Sequence, residues 1–289
     1  MIILGTGLTG LIGSRVVELL SPAYTFQNLS RSTGIDITNP RQVHDAIASS
    51  SADVIVHFAG YTDVKKAELE KDLGEKSDAW KINVIGTENI IKSAKATGKK
   101  LVYISTDMVF DGKHVGENGY TEEDAPHPLS WYAKTKYEGE LRVQAYKEAS
   151  IILRVAYPYR AQFPKLDFVR LFIQKLQNKE QLAALSDRII TPTFIDDIAM
   201  ATRAVIEKSV FGIYHVAGSN ALSIYYCAQE IAEVFNFDSS LIHATTRATF
   251  LINKPPEPFN SALNNGKIKS LGVEMHTFRE GLEEIKKHL

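Results

Sequence analysis

A glycine-rich segment lies between an apolar run and a helical pattern at the start of the chain. The segment Gly5-Thr6-Gly7-Leu8-Thr9-Gly10-Leu11-Ile12-Gly13 contains G-x-x-G-x-x-G. Residues 1–4 are apolar, and after the loop apolar residues recur with the period of a helix at Ile12, Val16, Leu19 and Leu20. Glycines allow a tight turn, let backbone approach a pyrophosphate and let a helix pack close to a strand. An ordinary glycine-rich turn is the alternative, but the flanking strand and helix favour dinucleotide binding.

Strands and helices alternate along the first half of the chain. Residues 24–29, 53–58, 101–105 and 150–155 are predicted strands, and Asn39-Pro40 predicts the N-cap and first turn of a helix that runs to Ala48. Runs that are apolar on both faces and separated by helices are typical of a parallel sheet covered on both sides. We therefore predict an α/β fold, a Rossmann-type doubly wound parallel sheet, with a dinucleotide-binding domain over residues 1–155.

The second half of the chain is less regular. Residues 166–177, 195–206, 223–235 and 278–288 are predicted helices, residues 213–217 a strand, and the proline-rich residues 254–258 an extended loop. We expect residues 156–289 to form a smaller α+β part that mainly binds substrate, with residues 194–217 returning to the first domain. No flexible linker separates the two parts, so they should pack together and leave a cleft at the carboxyl ends of the strands.

Composition excludes several classes of protein. The 289 residues carry 33 Lys plus Arg against 34 Asp plus Glu, a formal net charge of -1, whereas a nucleic-acid partner would favour a basic surplus. The one cysteine, Cys227, excludes an intrachain disulfide and a Cys-rich metal site, and no metal site is predicted. No apolar run approaches the roughly 20 residues that span a bilayer, and the N-terminus lacks a basic region. We expect a soluble, cytoplasmic protein.

Tyr132 and Lys136 form the most informative pair in the chain. They lie four residues apart in Ser130-Trp131-Tyr132-Ala133-Lys134-Thr135-Lys136, so on a helix both side chains point to one face. A neighbouring cation favours the phenolate and makes a tyrosine a usable proton donor and acceptor. Tyr and Lys at this spacing also occur by chance on surface helices. Together with the glycine loop and the turn Ser105-Thr106-Asp107, however, the pair indicates an oxidoreductase.

The residues after the predicted second strand bear on the choice of cofactor. An NAD site usually places Asp or Glu there to bind the ribose hydroxyls, whereas Arg accommodates the 2′-phosphate of NADP. This chain has Asn28-Leu29-Ser30-Arg31-Ser32, with no acid before Asp36. Arg31, flanked by two hydroxyls, suits a phosphate, although a solvated surface charge is the commoner role of an arginine. We predict NADP(H) as the preferred cofactor and leave NAD(H) open.

On these residues the chain resembles the extended short-chain dehydrogenase/reductase family. Within it, the chain is most similar to the dTDP-4-dehydrorhamnose reductase branch, which also includes the regulatory beta subunit of methionine adenosyltransferase. The resemblance runs nearly end to end. Beyond the motifs above, it rests on residues 59–68 (AGYTDVKKAE), Asn83 with Gly86-Thr87, residues 105–112 (STDMVFDG), Gly139-Glu140, Thr191-Pro192-Thr193 before Asp196-Asp197, residues 260–263 (NSAL), and Lys267 with Leu271-Gly272.

The resemblance implies roles for individual residues. Tyr132 would protonate the alkoxide formed as hydride reaches a sugar ketone, Lys136 would hold the nicotinamide ribose, and Thr106 would hydrogen-bond the reacting oxygen. The implied cofactor contacts are Gly7, Thr9, Gly10, Leu11, Ile12, Gly13, Arg31, Asp36, Ile37, Phe58, Ala59, Gly60, Tyr61, Asn83, Ser105, Tyr132 and Lys136. The implied substrate contacts are Thr106, Asp107, Met108 and Tyr157. Capping roles for Thr106 and Asn83 are the alternatives.

Two of the substrate positions depart from the resembling family, which usually carries Tyr at Met108 and Trp in the segment around Tyr157. The sugar is therefore left open, and neutral drift around an unchanged ligand is an alternative. The resemblance implies an NAD(P)H-dependent reductase of a 4-keto nucleotide sugar. A nucleotide-sugar epimerase and a non-catalytic, cofactor-binding regulatory subunit are the alternatives. The expected partner is a small-molecule substrate, and a homodimer is compatible with the sequence.

Overall fold

A six-stranded parallel sheet forms the centre of the N-terminal part of the chain. The structure, a computed structural model, describes residues 1–113, 115–250 and 254–289. Its strands, β1 to β12 in chain order, are Ile2–Thr6, Thr25–Leu29, Val54–His57, Lys100–Thr106, Ser150–Val155, Pro158–Tyr159, Leu182–Leu185, Ile189–Ile190, Thr193–Phe194, Gly212–Val216, Leu222–Ser223 and Ile242–Thr245. Its helices, α1 to α12, are Leu11–Leu20, Pro40–Ser49, Val64–Leu69, Asp78–Trp80, Thr87–Thr97, Trp131–Gln144, Phe168–Gln177, Ile195–Glu207, Ile224–Phe235, Arg247–Phe250, Gly266–Lys269 and Phe278–Lys286.

The order of the strands determines where the main sheet can bind a ligand. The strands lie in the order β2-β1-β3-β4-β5-β10, and every neighbouring pair is parallel. The chain passes from β1 to β2 on one side and then to β3, β4 and β5 on the other, so the winding reverses beside β1. In open α/β sheets the carboxyl ends of the strands at such a point form the ligand crevice. The predicted doubly wound α/β fold is confirmed.

Helices cover both faces of the main sheet. On one face α1 packs against α8, and Val16 and Ile198 share a core with the strands. On the other face α2, α5 and α6 pack over a second core that includes Val43 and Ile90. The central strands are apolar on both faces because neither face meets solvent.

The remainder of the second half forms a smaller α+β part around its own core. Helices α7, α9 and α12 enclose this core, together with Tyr159, Phe194 and Phe278. The short strands β7 and β12 pair in parallel beside them. Between these elements α8 and β10 return to the main sheet, where β10 pairs with β5. Tyr157, where the chain enters this part, lies at the carboxyl end of the main sheet.

Most predicted elements are present, with ends shifted by one or two residues. Asn39 caps α2 by accepting from the backbone N–H of Arg41, as its position predicts. Residues 254–258 contain neither helix nor strand, in agreement with the predicted loop. The pairing of β7 with β12 and the π-helical turn Lys81–Gly86 before α5 have no counterpart in the sequence analysis. Of the helices in the described residues, none is both long and apolar enough to cross a membrane.

Candidate active site

A cavity of about 620 Å³ opens at the carboxyl ends of the central strands. Its glycine-loop end lies against residues 7–13 and the segments that follow β2 and β3. Its Tyr157 end lies against the segments that follow β4 and β5. Of the predicted cofactor contacts, the lining includes Gly7, Thr9, Gly10, Leu11, Ile12, Gly13, Arg31, Asp36, Ile37, Phe58, Ala59, Gly60, Ser105, Tyr132 and Lys136. Of the predicted substrate contacts, it includes Thr106, Asp107 and Tyr157.

Two glycines allow the loop after β1 to fold back tightly. Gly7 has φ +67°, and a Cβ there would lie 2.5 Å from the backbone nitrogen of Ala59. A Cβ at Gly13 would lie 2.3 Å from the carbonyl oxygen of Gly7. A side chain at either position would therefore collide with backbone, which cannot move aside as a flexible side chain can. The absence of side chains brings the start of α1 close to the end of β3.

The first turn of α1 has the properties of an anion site. Its N-cap is Gly10, no side chain of the described residues accepts from its first backbone N–H groups, and its first turn carries no acidic residue. The unpaired N–H groups and the positive end of the helix dipole would stabilise a phosphate at the cavity wall. The buried hydroxyl of Ser105, in the same wall, also has no hydrogen-bond partner among the described residues. These groups fit the pyrophosphate and ribose of a dinucleotide.

The turn after β2 brings Arg31 and Asp36 together at the edge of the cavity. The Arg31 guanidinium lies 3.6 Å from the Asp36 carboxylate, and 72% of its side-chain surface is exposed. Hydrogen bonds from the backbone and hydroxyl of Thr38, together with Arg31, lower the pKa of the Asp36 carboxyl. The hydroxyl oxygens of Ser30 and Ser32 lie 2.7 Å apart beside Arg31. An exposed guanidinium with adjacent hydroxyls suits a phosphate group.

Tyr61 and Asn83, both predicted to contact the cofactor, are not part of the cavity lining. The buried amide of Asn83 accepts from the backbone N–H of Tyr61 at 2.7 Å and donates to the Tyr61 carbonyl at 3.1 Å. It also donates to the hydroxyl of Thr135 on α6 at 2.9 Å. Asn83 therefore fixes the loop after β3 against the helix that carries Tyr132 and Lys136.

His57, which the sequence analysis missed, connects the elements beneath the glycine-loop end. The Thr6 hydroxyl lies 2.6 Å from His57 Nδ1, and the Thr87 hydroxyl lies 3.1 Å from Nε2. Thr6 also accepts from the Ala59 N–H, and Thr87 donates to the Asn83 carbonyl. Thr87 donates its proton to Asn83, so its oxygen accepts from His57 Nε2, while the Thr6 hydroxyl donates to Nδ1. The imidazole is therefore neutral and carries its proton on Nε2. Burial is the main cause that lowers the pKa of His57 to about 3. The sequence feature that could have identified His57 is a histidine inside an otherwise apolar strand.

Lys136 lies one turn after Tyr132 on α6, as the spacing predicts. Its ammonium donates to the carbonyl of Ile104 at 2.8 Å and lies 4.1 Å from the centroid of the Tyr103 ring. Burial lowers the pKa of Lys136 to about 7, although the Glu140 carboxylate opposes the change. Lys136 therefore titrates near neutrality and can take either protonation state within the cavity wall.

The phenol of Tyr132 has a raised pKa. Burial is the main cause and the Asp107 carboxylate adds to it, while a hydrogen bond with the Thr106 hydroxyl opposes them. Lys136, which the sequence analysis expected to favour the phenolate, is not among the groups that shift this pKa, and the loss of water around the phenol is the main effect. Tyr132 is held as the protonated phenol, which is the form that can donate a proton.

Thr106 and Asp107 form a hydrogen-bonded turn at the Tyr157 end. The Thr106 hydroxyl donates to the Asp107 carboxylate at 3.1 Å and accepts from the backbone N–H of Met108 at 3.2 Å. This turn places Asp107 in the cavity wall, whereas the Met108 side chain packs beside Ala67 and Tyr132. The prediction that Met108 contacts the substrate therefore finds no support in the cavity lining, because the chain turns immediately after β4.

Arg188 and Ser261 are residues of the Tyr157 end that the sequence analysis did not select. Ser261 donates a short hydrogen bond to the Asp107 carboxylate. Burial raises the pKa of Asp107, and the fully buried guanidinium of Arg188 opposes that rise. Ser261 belongs to a segment on which the family resemblance rests, so a signal existed for it. Arg188 had none.

The chain is similar to known proteins along its whole length. The family model described as the RmlD substrate binding domain matches residues 1–289. A dTDP-4-dehydrorhamnose reductase from Aggregatibacter actinomycetemcomitans is 31% identical, with 97% of each chain covered. The beta subunit of methionine adenosyltransferase 2 from Xenopus laevis is 30% identical over 96% of this chain and 85% of that protein.

A solved structure supports the same relationship. The structure of dTDP-4-dehydrorhamnose reductase from Bacillus anthracis in complex with NADP has a TM-score of 0.90 and 29% identity, and the match covers 100% of this chain and 99% of that one. The glycine loop and the Tyr132/Lys136 pair on α6 lie within the residues that these matches cover. The chain therefore belongs to the RmlD substrate binding domain family, the dTDP-4-dehydrorhamnose reductase-like branch of the extended short-chain dehydrogenases/reductases.

Proposed function

We propose that this protein is an NADPH-dependent reductase that converts the 4-keto group of a nucleotide sugar to a hydroxyl. The observation that carries the proposal is the position of Tyr132, Lys136 and Thr106 in the same cavity as the glycine loop and the first turn of α1. The match to a dTDP-4-dehydrorhamnose reductase along nearly the whole chain supports the same reaction class.

The residues at the end of β4 and on α6 would complete the reduction. A nicotinamide cofactor, when bound, would provide the hydride for the carbonyl carbon. Tyr132 donates its phenolic proton to the carbonyl oxygen as negative charge develops there. The Thr106 hydroxyl, whose proton is donated to Asp107 in this structure, would redirect that proton to the same oxygen and orient it. Lys136 stabilises the phenolate left on Tyr132 until a proton returns from solvent. One hydride and one proton thus convert the ketone to an alcohol.

The glycine-loop end would hold the cofactor. The first turn of α1 would bind the pyrophosphate, and Asp36 with Ile37 would border the adenine. NADP(H) is favoured over NAD(H), because Arg31 and the neighbouring hydroxyls suit a 2′-phosphate. The related Bacillus anthracis structure contains NADP, which is consistent with this preference.

A second candidate is a cofactor-binding regulatory subunit without catalytic activity. The match to the beta subunit of methionine adenosyltransferase 2 favours it, because that relative covers nearly as much of the chain as the reductase does. A nucleotide-sugar epimerase is a third candidate, since it uses the same Tyr and Lys but returns its cofactor unchanged. Tyr132 and Lys136 are compatible with each of these functions, so the assay must separate them.

The decisive experiment incubates purified protein with dTDP-4-dehydrorhamnose and either NADPH or NADH. Oxidation of NADPH in proportion to the ketone consumed is the expected result, and the Tyr132→Phe variant controls for contaminating reductases. Interconversion of sugar isomers without net oxidation of NADPH would indicate an epimerase. NADPH binding without turnover of any 4-keto nucleotide sugar would favour the regulatory subunit.

Three further features belong to the proposal. Residues 1–155 with 194–217 hold the cofactor, and the rest of residues 156–289 mainly bind the sugar. The proposed location is the reducing cytoplasm, with which the one cysteine, the buried and free Cys227, is consistent. Sedimentation would distinguish a monomer from the homodimer that the sequence allows.

A further inference from the structure

Arg188 is a fully buried arginine whose contacts converge on the Tyr157 end of the cavity. It lies immediately before β8, and 0% of its surface is exposed. Its Nη2 lies 3.4 Å from the hydroxyl oxygen of Tyr157, and its Nη1 donates to the carbonyl of Pro258. Its Nε lies 3.6 Å from the Glu257 carboxylate and makes no hydrogen bond within the described residues. Burial of a guanidinium is costly, and here two carboxylates, those of Asp107 and Glu257, offset the charge.

Tyr157 has a backbone conformation that is unusual for a tyrosine. Its φ is +44°, in the left-handed region where bulky side chains are strained. Its carbonyl accepts from the backbone N–H of Thr193 at 3.3 Å, and its ring packs edge-on to Phe168 with centroids 5.6 Å apart. The guanidinium carbon of Arg188 lies 5.7 Å from the ring centroid. Such strain persists where the surrounding contacts hold it, and it clusters at functional sites.

The contact between the two side chains leaves the proton of the Tyr157 hydroxyl free to be donated. An arginine can only donate hydrogen bonds, so the phenolic oxygen accepts from Nη2 and its own proton remains available. Burial raises the pKa of Tyr157 to about 12, so the phenol is protonated at neutral pH. Because Tyr157 lines the cavity, this proton can be donated to an oxygen atom of a bound ligand.

We propose that Arg188 is a positioning residue that holds Tyr157 so that its O–H donates to an acceptor oxygen of the nucleotide-sugar substrate. The identity of that substrate rests on the proposed function, whereas the effect of Arg188 on Tyr157 does not. Arg188 thereby contributes to substrate selection without lining the cavity. A sugar with an oxygen opposite Tyr157 binds more tightly than the corresponding deoxy sugar.

Arg247 provides a matched control, because Arg188 also anchors the chain segment 257–258. Arg247 donates to the carbonyl of Glu257 at 3.1 Å, and its guanidinium lies 5.9 Å from the ring centroid of Phe259. Its Nε, like that of Arg188, is buried without a hydrogen-bond partner in the part of the chain that the structure describes. Among the contacts of the described residues, those of Arg247 involve this segment and Asp187 rather than Tyr157.

The kinetic test compares Arg188→Lys, Tyr157→Phe and Arg247→Lys with dTDP-4-dehydrorhamnose and NADPH. Arg188→Lys keeps the charge but loses the two-nitrogen fork, and Tyr157→Phe keeps the ring but loses the donor. We expect each to raise KM for the ketone about tenfold, the size of one net hydrogen bond, with kcat within about threefold. The double variant should be no worse than either single variant, because both remove the same donor. Arg247→Lys should leave KM unchanged.

A crystal structure of the Arg188→Lys protein supplies a readout that needs no substrate. Tyr157 is expected to leave the left-handed region or to turn its hydroxyl from the cavity, and an unchanged Tyr157 would overturn the proposal.

Equal rises in KM for Arg188→Lys and Arg247→Lys would also overturn it, since segment anchoring alone would then explain both. If the wild-type protein reduces no ketone, the proposed function fails while this structural comparison still decides the role of Arg188. If Arg188→Lys does not fold, an unchanged KM in Tyr157→Phe overturns the proposal and a tenfold rise supports it.

Discussion

The glycine-loop end of the cavity is built mainly from backbone, whereas the Tyr157 end is built from buried polar side chains. At the first end, Gly7 and Gly13 allow a tight loop, and the uncapped first turn of α1 supplies N–H groups. At the second end, Asp107, Arg188 and Ser261 come together from segments that lie far apart in the chain. The first arrangement is determined by one short stretch of sequence. The second depends on how the whole second half packs.

The two ends also differ in how they carry charge. Arg31 is largely exposed, so its ion pair with Asp36 contributes little to stability and can be exchanged for a ligand phosphate. Arg188 and Asp107 are buried, and removal of either would leave the charge of the other less compensated. Substitutions at the glycine-loop end should therefore change cofactor affinity, and those at the Tyr157 end should change the KM of the sugar. The predictions for Arg31 and Met108 below test that division.

The largest effect is expected at Tyr132, where the two ends meet. Tyr132→Phe should lower kcat by roughly 10²–10⁴-fold, because it removes the general acid, and should leave the Kd of NADPH nearly unchanged. Steady-state kinetics and fluorescence titration of NADPH measure the two quantities. Tyr137→Phe, on the same helix but outside this cavity, is the matched control and should retain activity. Near-normal turnover in Tyr132→Phe would show that another group donates the proton.

Gly7 tests the backbone construction of the glycine-loop end. Gly7→Ala should lower the free energy of unfolding by about 1–2 kcal/mol through its positive φ, and by about 1–3 kcal/mol more through collision with Ala59. Gly34→Ala is the control, because Gly34 has φ +81° but no described atom would lie within 4 Å of a Cβ added there. Gly34→Ala should therefore lose only the part of the unfolding free energy that comes from the positive φ. Denaturant unfolding would contradict the argument if both variants lost the same stability.

Sequence patterns predicted the parts of the site that depend on local structure. The loop around Gly7 and the spacing of Tyr132 and Lys136 are properties of one turn and one helix, so they could be read without tertiary information. The pKa of Tyr132 could not, because it depends on burial and on the Asp107 carboxylate. The burial of Arg188 likewise follows from packing of the second half, and nothing in its local sequence distinguishes it from a surface arginine.

Arg31 tests whether an exposed charge at the glycine-loop end selects the cofactor. Arg31→Ala should shift the ratio of the Kd values for NADPH and NADH about tenfold or more towards NADH, because a charge-assisted hydrogen bond to phosphate contributes about 1.5–3 kcal/mol. Isothermal titration with each cofactor measures the ratio. Arg41→Ala, which removes a similarly exposed arginine that faces Asp45 on α2, is the control. Equal weakening of both cofactors in Arg31→Ala would make Arg31 a structural residue.

The smallest effect is expected at Met108, which the sequence placed in the substrate pocket and the structure places beside it. Met108→Leu conserves volume, and the side chain packs with Ala67, Ala79 and Tyr132 rather than in the cavity lining. The KM for dTDP-4-dehydrorhamnose should therefore change less than about twofold, compared with the roughly tenfold rise expected for Tyr157→Phe from loss of one hydrogen bond. Steady-state assays on both variants make the comparison. A rise in KM for Met108→Leu as large as that for Tyr157→Phe would move Met108 into the sugar site, and the Tyr157 end would then recognise its ligand through apolar contact as well as through buried polar groups.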